Sequence, residues 1–340
     1  MTIKALSIRW GIFLILSLVL NYILYKNKFR TRWDYYPPIS RATYGIIMAG
    51  TSDKFSGYNC IENLVSPCIA KIYAERHKYA FKLVRNLEHI DSRKYGPCKP
   101  FPQWNKIKLL TKYIDDVDIL LWIDLDAVIT RLDTPLDAII PDSFAHSACL
   151  THANATILGS TVASNSKADS PGAVPAPFFW TTIDVNPLYS VNINTGVMAL
   201  RSGDLAHVFL ERVWSVGDNP YSFEKHDVEY LSKAPCSAYY GWPWEQGGVW
   251  DVLGNRSDRR FLRGTCVLPS DGPRSLNSVE DRYFDGEVNA ERPFILHKPK
   301  VYLPALFQSI LHAATVPQDV VGDTCRQWGV DTYLSQHRGL

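Results

Sequence analysis

Two aspartates one residue apart, Asp124 and Asp126, follow an unbroken apolar run, Ile119-Leu120-Leu121-Trp122-Ile123, and precede Ala127-Val128-Ile129. In an extended chain, side chains two positions apart point the same way, so the pair faces one direction at a strand end while Leu125 faces the core. Carboxylates this close repel each other. A divalent cation relieves the repulsion. Hard oxygen ligands suit Mn2+ or Mg2+, ions that complete their shells with water and phosphate oxygens. Such an ion neutralises a departing diphosphate, which is Lewis-acid chemistry. The plainer reading is that the pair caps a turn, since a bare Asp-x-Asp is common.

Other segments could join such a site. His297 ends a short apolar run, Pro293-Phe294-Ile295-Leu296, and an imidazole can complete a site that holds two carboxylates. Lys298 and Lys300 could reach phosphate as point charges, or could be ordinary solvated lysines, and Lys106 has the same ambiguity. Asn194-Thr195-Gly196 reads as a tight turn leading into a strand, Val197 to Leu200. Its glycine permits close approach to a sugar, and its amide can both donate and accept. Trp242-Pro243-Trp244-Glu245-Gln246-Gly247-Gly248 is a dense aromatic and polar cluster opening a helical run, Val249 to Leu253. Glu245 and Gln246 there are either first-turn residues or part of a site, with Trp244 as a wall.

These residues need a scaffold. Tyr44 to Ala49 is a compact apolar run ending in Gly50-Thr51-Ser52, which reads as a buried first strand and a turn. Cys60 to His77 carries helical spacing, Tyr79 to Val84 a second strand, Trp104 to Ile114 a helix, and Ile119 to Ile123 a third strand that is apolar throughout. This alternation predicts an α/β fold with a parallel doubly wound sheet and right-handed crossovers. Ligands in such sheets bind beyond the carboxyl ends of the strands, where Gly50-Thr51-Ser52 and Asp124-Leu125-Asp126 fall. Residues 160–177, rich in Ser, Ala and Pro, read as a long surface loop.

Composition narrows the class. A chain of 340 residues with 46% apolar content can bury a sizeable core. The net charge of +2 comes from interspersed signs, without a basic run interleaved with aromatics, which argues against a nucleic-acid partner. Ten tryptophans and eighteen tyrosines supply flat faces that pack against sugar rings, or simply an aromatic core. The seven cysteines include no Cys-x-x-Cys pair, so they read as buried thiols or as disulfides formed in an oxidising compartment. Gly11 to Tyr25 is almost wholly apolar and reaches spanning length when extended back to Ala5. No small-residue cleavage pattern follows it. The N-terminus therefore reads as an uncleaved signal anchor over residues 1–30, followed by a short stem over 31–42 and one large domain over 43–330. The basic residues flanking the segment favour the wrong side for a lumenal domain, whereas sequons at Asn154 and Asn255 favour the lumen.

Several segments in order resemble glycosyltransferase family 34. These are Tyr73-Ala74-Glu75-Arg76-His77-Lys78-Tyr79, Trp104-Asn105-Lys106-Ile107, Trp122-Ile123-Asp124-Leu125-Asp126-Ala127, Asn194-Thr195-Gly196-Val197, Glu245-Gln246 and Leu296-His297-Lys298. The resemblance spans Tyr44 to Lys300. The family's usual Asp-Gln pair is Glu245-Gln246 here, and its late lysine usually stands farther from the histidine than Lys298 or Lys300 does.

The resemblance implies a GT-A fold, Rossmann-like, with a mostly parallel central sheet flanked by helices. It implies a single-pass type II Golgi protein with a lumenal catalytic domain, using Mn2+ or Mg2+ held by Asp124, Asp126 and His297. It implies donor and substrate contacts from Gly50, Thr51, Lys106, Asp124, Asn194, Thr195, Gly196, Trp244, Lys298 and Lys300, with Gln246 and Glu245 at the reacting centre. The implied activity is a retaining transfer of hexose or pentose from a nucleotide sugar to a glycan acceptor. A membrane-anchored glycan-binding protein without catalysis is the alternative, and a metal-dependent phosphohydrolase would need more ligands than these segments supply.

Overall fold

The computed structural model describes residues 43–56, 62–89, 102–140, 176–186, 189–217, 245–254, 258–269, 272–276, 293–297, 306, 310–312 and 314–326. The expected N-terminal anchor and stem lie outside these residues, as do both sequons, most of the 160–177 loop, Trp242, Trp244, Lys298 and Lys300. Among the described residues, no helix is long and apolar enough to cross a membrane.

The elements in chain order are β1 (Tyr44–Ala49), α1 (Glu62–His77), β2 (Ala80–Val84), α2 (Asn105–Tyr113), β3 (Ile119–Asp124), β4 (Ala127–Ile129), β5 (Phe179–Asn186), β6 (Tyr189–Arg201), α3 (Asp204–Val216), α4 (Glu245–Gly254), α5 (Arg260–Arg263), β7 (Thr265–Leu268), β8 (Ile295–His297) and α6 (Gln318–Cys325). Six strands form one sheet in the order β2-β1-β3-β6-β5-β7, and β4 pairs with β8 in a separate ribbon. The pairs β1–β2, β1–β3 and β5–β7 are parallel. The pairs β3–β6 and β5–β6 are antiparallel. The sheet is therefore mixed, not parallel throughout: β5 and β6 form a hairpin, and a hairpin returns its second strand antiparallel.

β1 is buried along its whole length, and β3 is buried up to Asp124. Alternate residues serve the two faces. Ile46, Met48, Leu121 and Ile123 join one core cluster with Leu64, Val65, Cys68, Ile69, Ile72 and Tyr73 of α1. The spacing of those α1 residues makes one apolar stripe. Trp122 belongs to the opposite face, where the Lys106 ammonium of α2 lies 5.2 Å from its ring centre. On α3, Ala206, Phe209, Leu210 and Val213 are buried at helical spacing. Phe209 meets Phe178 edge-on, with ring centres 5.5 Å apart, and lies 5.5 Å from Phe261. A disulfide between Cys68 and Cys325 ties α1 to α6, with the two Cα atoms 5.5 Å apart. Cys266 of β7 is also disulfide-bonded. These cysteines are thus partners in disulfides and not buried free thiols.

Two local expectations change. Asp124 ends β3 but Leu125 and Asp126 form a turn before β4, so the aspartates do not share an extended strand. Asn194, Thr195 and Gly196 lie inside β6, not in a turn before it. Asn194 is paired with Thr182 of β5 across a register shift between Trp180 and Thr182. The irregularity that makes this segment look like a turn is a bulge within a hairpin.

Candidate functional site

The register of the sheet explains how the site assembles. β6 pairs with β3 as far as Val197 opposite Ile123, and then runs on past the end of β3. Gly196, Thr195 and Asn194 therefore continue over the turn that carries Asp124 and Asp126. On the other side of β3, Ala49 is the partner of Asp124, so Gly50 begins the loop beside the same end. His297 arrives on β8, directly opposite Ala127 of β4. Its side chain is thereby brought against the residue just before Ala127.

Asp124, Asp126 and His297 each offer one ligand atom, and these atoms lie within 4.8 Å of one another. The His297 Nε2 is 3.2 Å from Asp126 Oδ1. Neighbouring ligand atoms around a six-coordinate cation with bonds of about 2.1 Å lie about 3 Å apart, so the spacing suits such an ion. The donor set, two carboxylates and one imidazole, suits the harder divalent cations. The His297 side chain is 6% exposed and the Asp126 side chain 52% exposed, so one side of the cluster is fixed by packing while the other opens to solvent.

Gly196 fits this arrangement by being small. A Cβ there would stand 2.7 Å from His297 Cε1 and 2.9 Å from Asn194 Oδ1. Its amide donates to Asn194 Oδ1 at 2.7 Å, which spends that oxygen on shaping the bulge. Gly50 is less confined, since a Cβ would meet the end of the Leu125 side chain, which can turn aside. Thr51 follows it, and its hydroxyl donates to the Asp53 carboxylate, the main cause that holds that group below its usual range. Ser52 donates its amide to both oxygens of Glu88, at 2.9 and 3.0 Å, which ties the loop after β1 to the one after β2.

Behind this cluster lies a polar knot centred on the buried Lys106. Lys106 Nζ is 2.7 Å from Glu245 Oε1 and 3.2 Å from Asp124 Oδ1. It also donates to the Thr195 carbonyl at 3.0 Å. Burial opposes its charge, but Asp124 and Glu245 overcome this and hold its affinity for a proton above the ordinary lysine value. Asp124 is pushed up by burial, eased by Lys106, and pushed further by Glu245 and Asp126. The Thr195 hydroxyl donates to Glu245 Oε1 at 2.9 Å. Gln246 Oε1 lies 3.4 Å from both the Thr195 amide and its hydroxyl. Glu245 Oε2 and His297 Nδ1 are buried and make no hydrogen bond. Among the described residues, three carboxyl groups and one ammonium gather here, an acidic surplus that a cation would offset.

The structure thus brings together Asp124, Asp126, His297, Asn194, Thr195, Gly196, Lys106, Glu245 and Gln246, with Gly50 and Thr51 at the adjoining edge. Trp244, Lys298 and Lys300 lie outside the described residues. One contributor escaped the sequence reading: Trp122 Nε1 donates to Asp124 Oδ1 at 2.6 Å. The signal was present, since Trp122 and Asp124 are two apart on one strand and share a face.

No family model matches the chain, and no curated protein matches it in sequence. Among solved structures, it is similar to a glycosyltransferase involved in the glycosylation of the major capsid of PBCV-1, at 14% identity over 79% of this chain and 98% of that one, with a TM-score of 0.44. It is also similar to the galactosyltransferase LgtC in complex with donor and acceptor sugar analogues, at 13% identity over 82% of this chain and 99% of that one, with a TM-score of 0.36. A third, the bifunctional glycosyltransferase WbbM, is 8% identical over 83% of this chain and 52% of that one, with a TM-score of 0.41.

Proposed function

We propose that this chain is a metal-dependent retaining glycosyltransferase that moves a hexose or pentose from a nucleotide sugar to a glycan, with UDP-sugars ahead of GDP-mannose as donors. The observation that carries this reading is the meeting of Asp124, Asp126 and His297, their ligand atoms within 4.8 Å, at the strand end where Glu245 and Gln246 also arrive. Asp124, Asp126 and His297 would hold Mn2+ or Mg2+, which when bound supplies positive charge to a diphosphate leaving group.

The chain's own residues do the rest. Asn194, Thr195 and Gly196 form a wall low enough for a sugar ring to approach the backbone. Glu245 Oε2, buried without a partner, accepts a hydroxyl of the transferred sugar, which removes the cost of leaving that oxygen unpaired. Gln246 turns its carbonyl oxygen toward the anomeric carbon and stabilises the positive charge that develops there. The bond from the anomeric carbon to the diphosphate oxygen breaks as the acceptor oxygen bonds to the same face, and the acceptor's proton passes to the departing phosphate. A glutamine is a poor nucleophile, so this front-face route suits the site better than a covalent enzyme intermediate.

We place the catalytic domain in the lumen of the secretory pathway, on a type II anchor formed by the N-terminal apolar segment. Two observations support this: the sequence of that segment, and the disulfides at Cys68, Cys325 and Cys266, which persist in oxidising compartments. A panel of nucleotide sugars, assayed with Mn2+ and with or without glycan acceptors, tests the reading. Acceptor-dependent release of a nucleoside diphosphate from one donor supports it. Glycan binding without turnover of any donor would replace it with the non-catalytic alternative.

A further inference from the structure

We propose that Lys106 is a positioning residue that joins the metal motif to the head of α4, and that it makes no contact with the donor's phosphates. The proposal rests on the transferase reading for what the site binds, and on geometry alone for what Lys106 does. An ammonium has three N–H donors and no acceptor. Those of Lys106 meet three acceptors from three elements: Asp124 Oδ1 at the end of β3, Glu245 Oε1 at the start of α4, and the Thr195 carbonyl in β6. The Trp122 ring lies beside it, 5.2 Å from the nitrogen. With every proton placed, Lys106 has no donor left for a ligand.

The arrangement resembles a cation site in which a lysine is the cation. Asp124 Oδ1 is held from two sides, by Lys106 and by Trp122 Nε1, which fixes how the carboxylate is turned beside Asp126 and His297. Glu245 is held in the same way by Lys106 and the Thr195 hydroxyl, which leaves Oε2 free. One ammonium thus sets the orientation of both carboxylates together. Without it, a buried Glu245 and a half-buried Asp124 are like charges left without this counter-ion, a costly condition. A lysine that bound phosphate would need at least one unspent donor.

The test compares Lys106→Met, Glu245→Gln and the double variant in two measurements. The first is thermal unfolding of the ligand-free proteins. Lys106→Met is expected to lower Tm, and adding Glu245→Gln to recover about half or more of the loss, because the second change removes the charge that the first stranded. The second is binding of uridine diphosphate with Mn2+, with guanosine diphosphate as a parallel arm. The Kd of Lys106→Met is expected within about threefold of wild type while kcat falls about a hundredfold or more, the split that separates positioning from ligand contact. A double variant no better folded than Lys106→Met overturns the proposal, and so does a Kd raised about tenfold with kcat retained. If wild-type protein binds neither diphosphate, the transferase reading fails, while the coupling between Lys106 and Glu245 can still be read from the unfolding curves.

Discussion

His297 stands directly across the β4–β8 ribbon from Ala127, and its Nε2 lies 3.2 Å from Asp126 Oδ1. The imidazole is held by strand pairing, and the carboxylate it meets belongs to the residue just before its ladder partner. A histidine placed this way is oriented before any ion arrives.

Removal of that imidazole should therefore act on the cation first. His297→Ala is expected to weaken Mn2+ binding at least about tenfold, with little change in far-ultraviolet circular dichroism. Titration with Mn2+ followed by electron paramagnetic resonance checks this, and unchanged affinity would remove His297 from the ligand set.

Gly196 makes a sharper test, because it has no side chain of its own to ligate an ion. A Cβ there would fall 2.7 Å from His297 Cε1 and 2.9 Å from Asn194 Oδ1, and neither neighbour is the loose end of a long chain. Gly196→Ala should push His297 aside, lowering Mn2+ affinity and activity together by about tenfold or more. Wild-type Mn2+ affinity in this variant would show that the pocket is looser than its contacts indicate.

Gln246 lies near Thr195 through weak contacts of 3.4 Å, so its loss should cost little stability. If its carbonyl stabilises charge at the anomeric carbon, Gln246→Ala should lower kcat about a hundredfold with a small change in donor KM. Full activity in this variant would end that role.

Asp251 of α4 titrates far from the ordinary carboxylate range, because burial pushes it up to about 8. The unfolded chain loses this proton near about pH 3.9. Between the two values the folded protein holds more protons than the unfolded one, so stability falls as pH rises through this window and levels off above about 8. Asp251→Asn should raise Tm at about pH 8.5 by about 2 °C or more, with a smaller gain at about pH 5. Equal gains at both pH values would mean that the carboxyl keeps an ordinary pKa.

The Cys68–Cys325 disulfide closes a loop whose ends are 257 positions apart. Replacing both cysteines with serine should cost about 2–5 kcal/mol. A digest of unreduced protein should yield the peptides of α1 and α6 as one cross-linked species, and two free thiols there would contradict the pairing.

Much of this architecture is legible in the residues, and the parts that are not have identifiable causes. Tyr44 to Ala49 and Ile119 to Ile123 read as buried strands because apolar runs of that length leave little else to do. Asp124, Asp126, Glu245, Gln246 and His297 stand out by residue type at element ends. The direction of β6 could not be read, since the hairpin with β5 just before it decides it and strand periodicity is blind to direction. Asn194-Thr195-Gly196 reads as a turn because its residues favour turns, whereas pairing with β5 draws them into a bulged strand. The condition of Lys106 was equally hidden. Its three acceptors come from residues 18, 89 and 139 positions onward, and only folding brings these together.

Asp126 and His297 are 171 residues apart in sequence. A ribosome must therefore add 171 residues after Asp126 before the histidine exists to face it. Until then, no nascent fragment has the full ligand set, and a chain cut short before β8 lacks it permanently. Capture of an ion by these three residues would thus report that synthesis has passed β8.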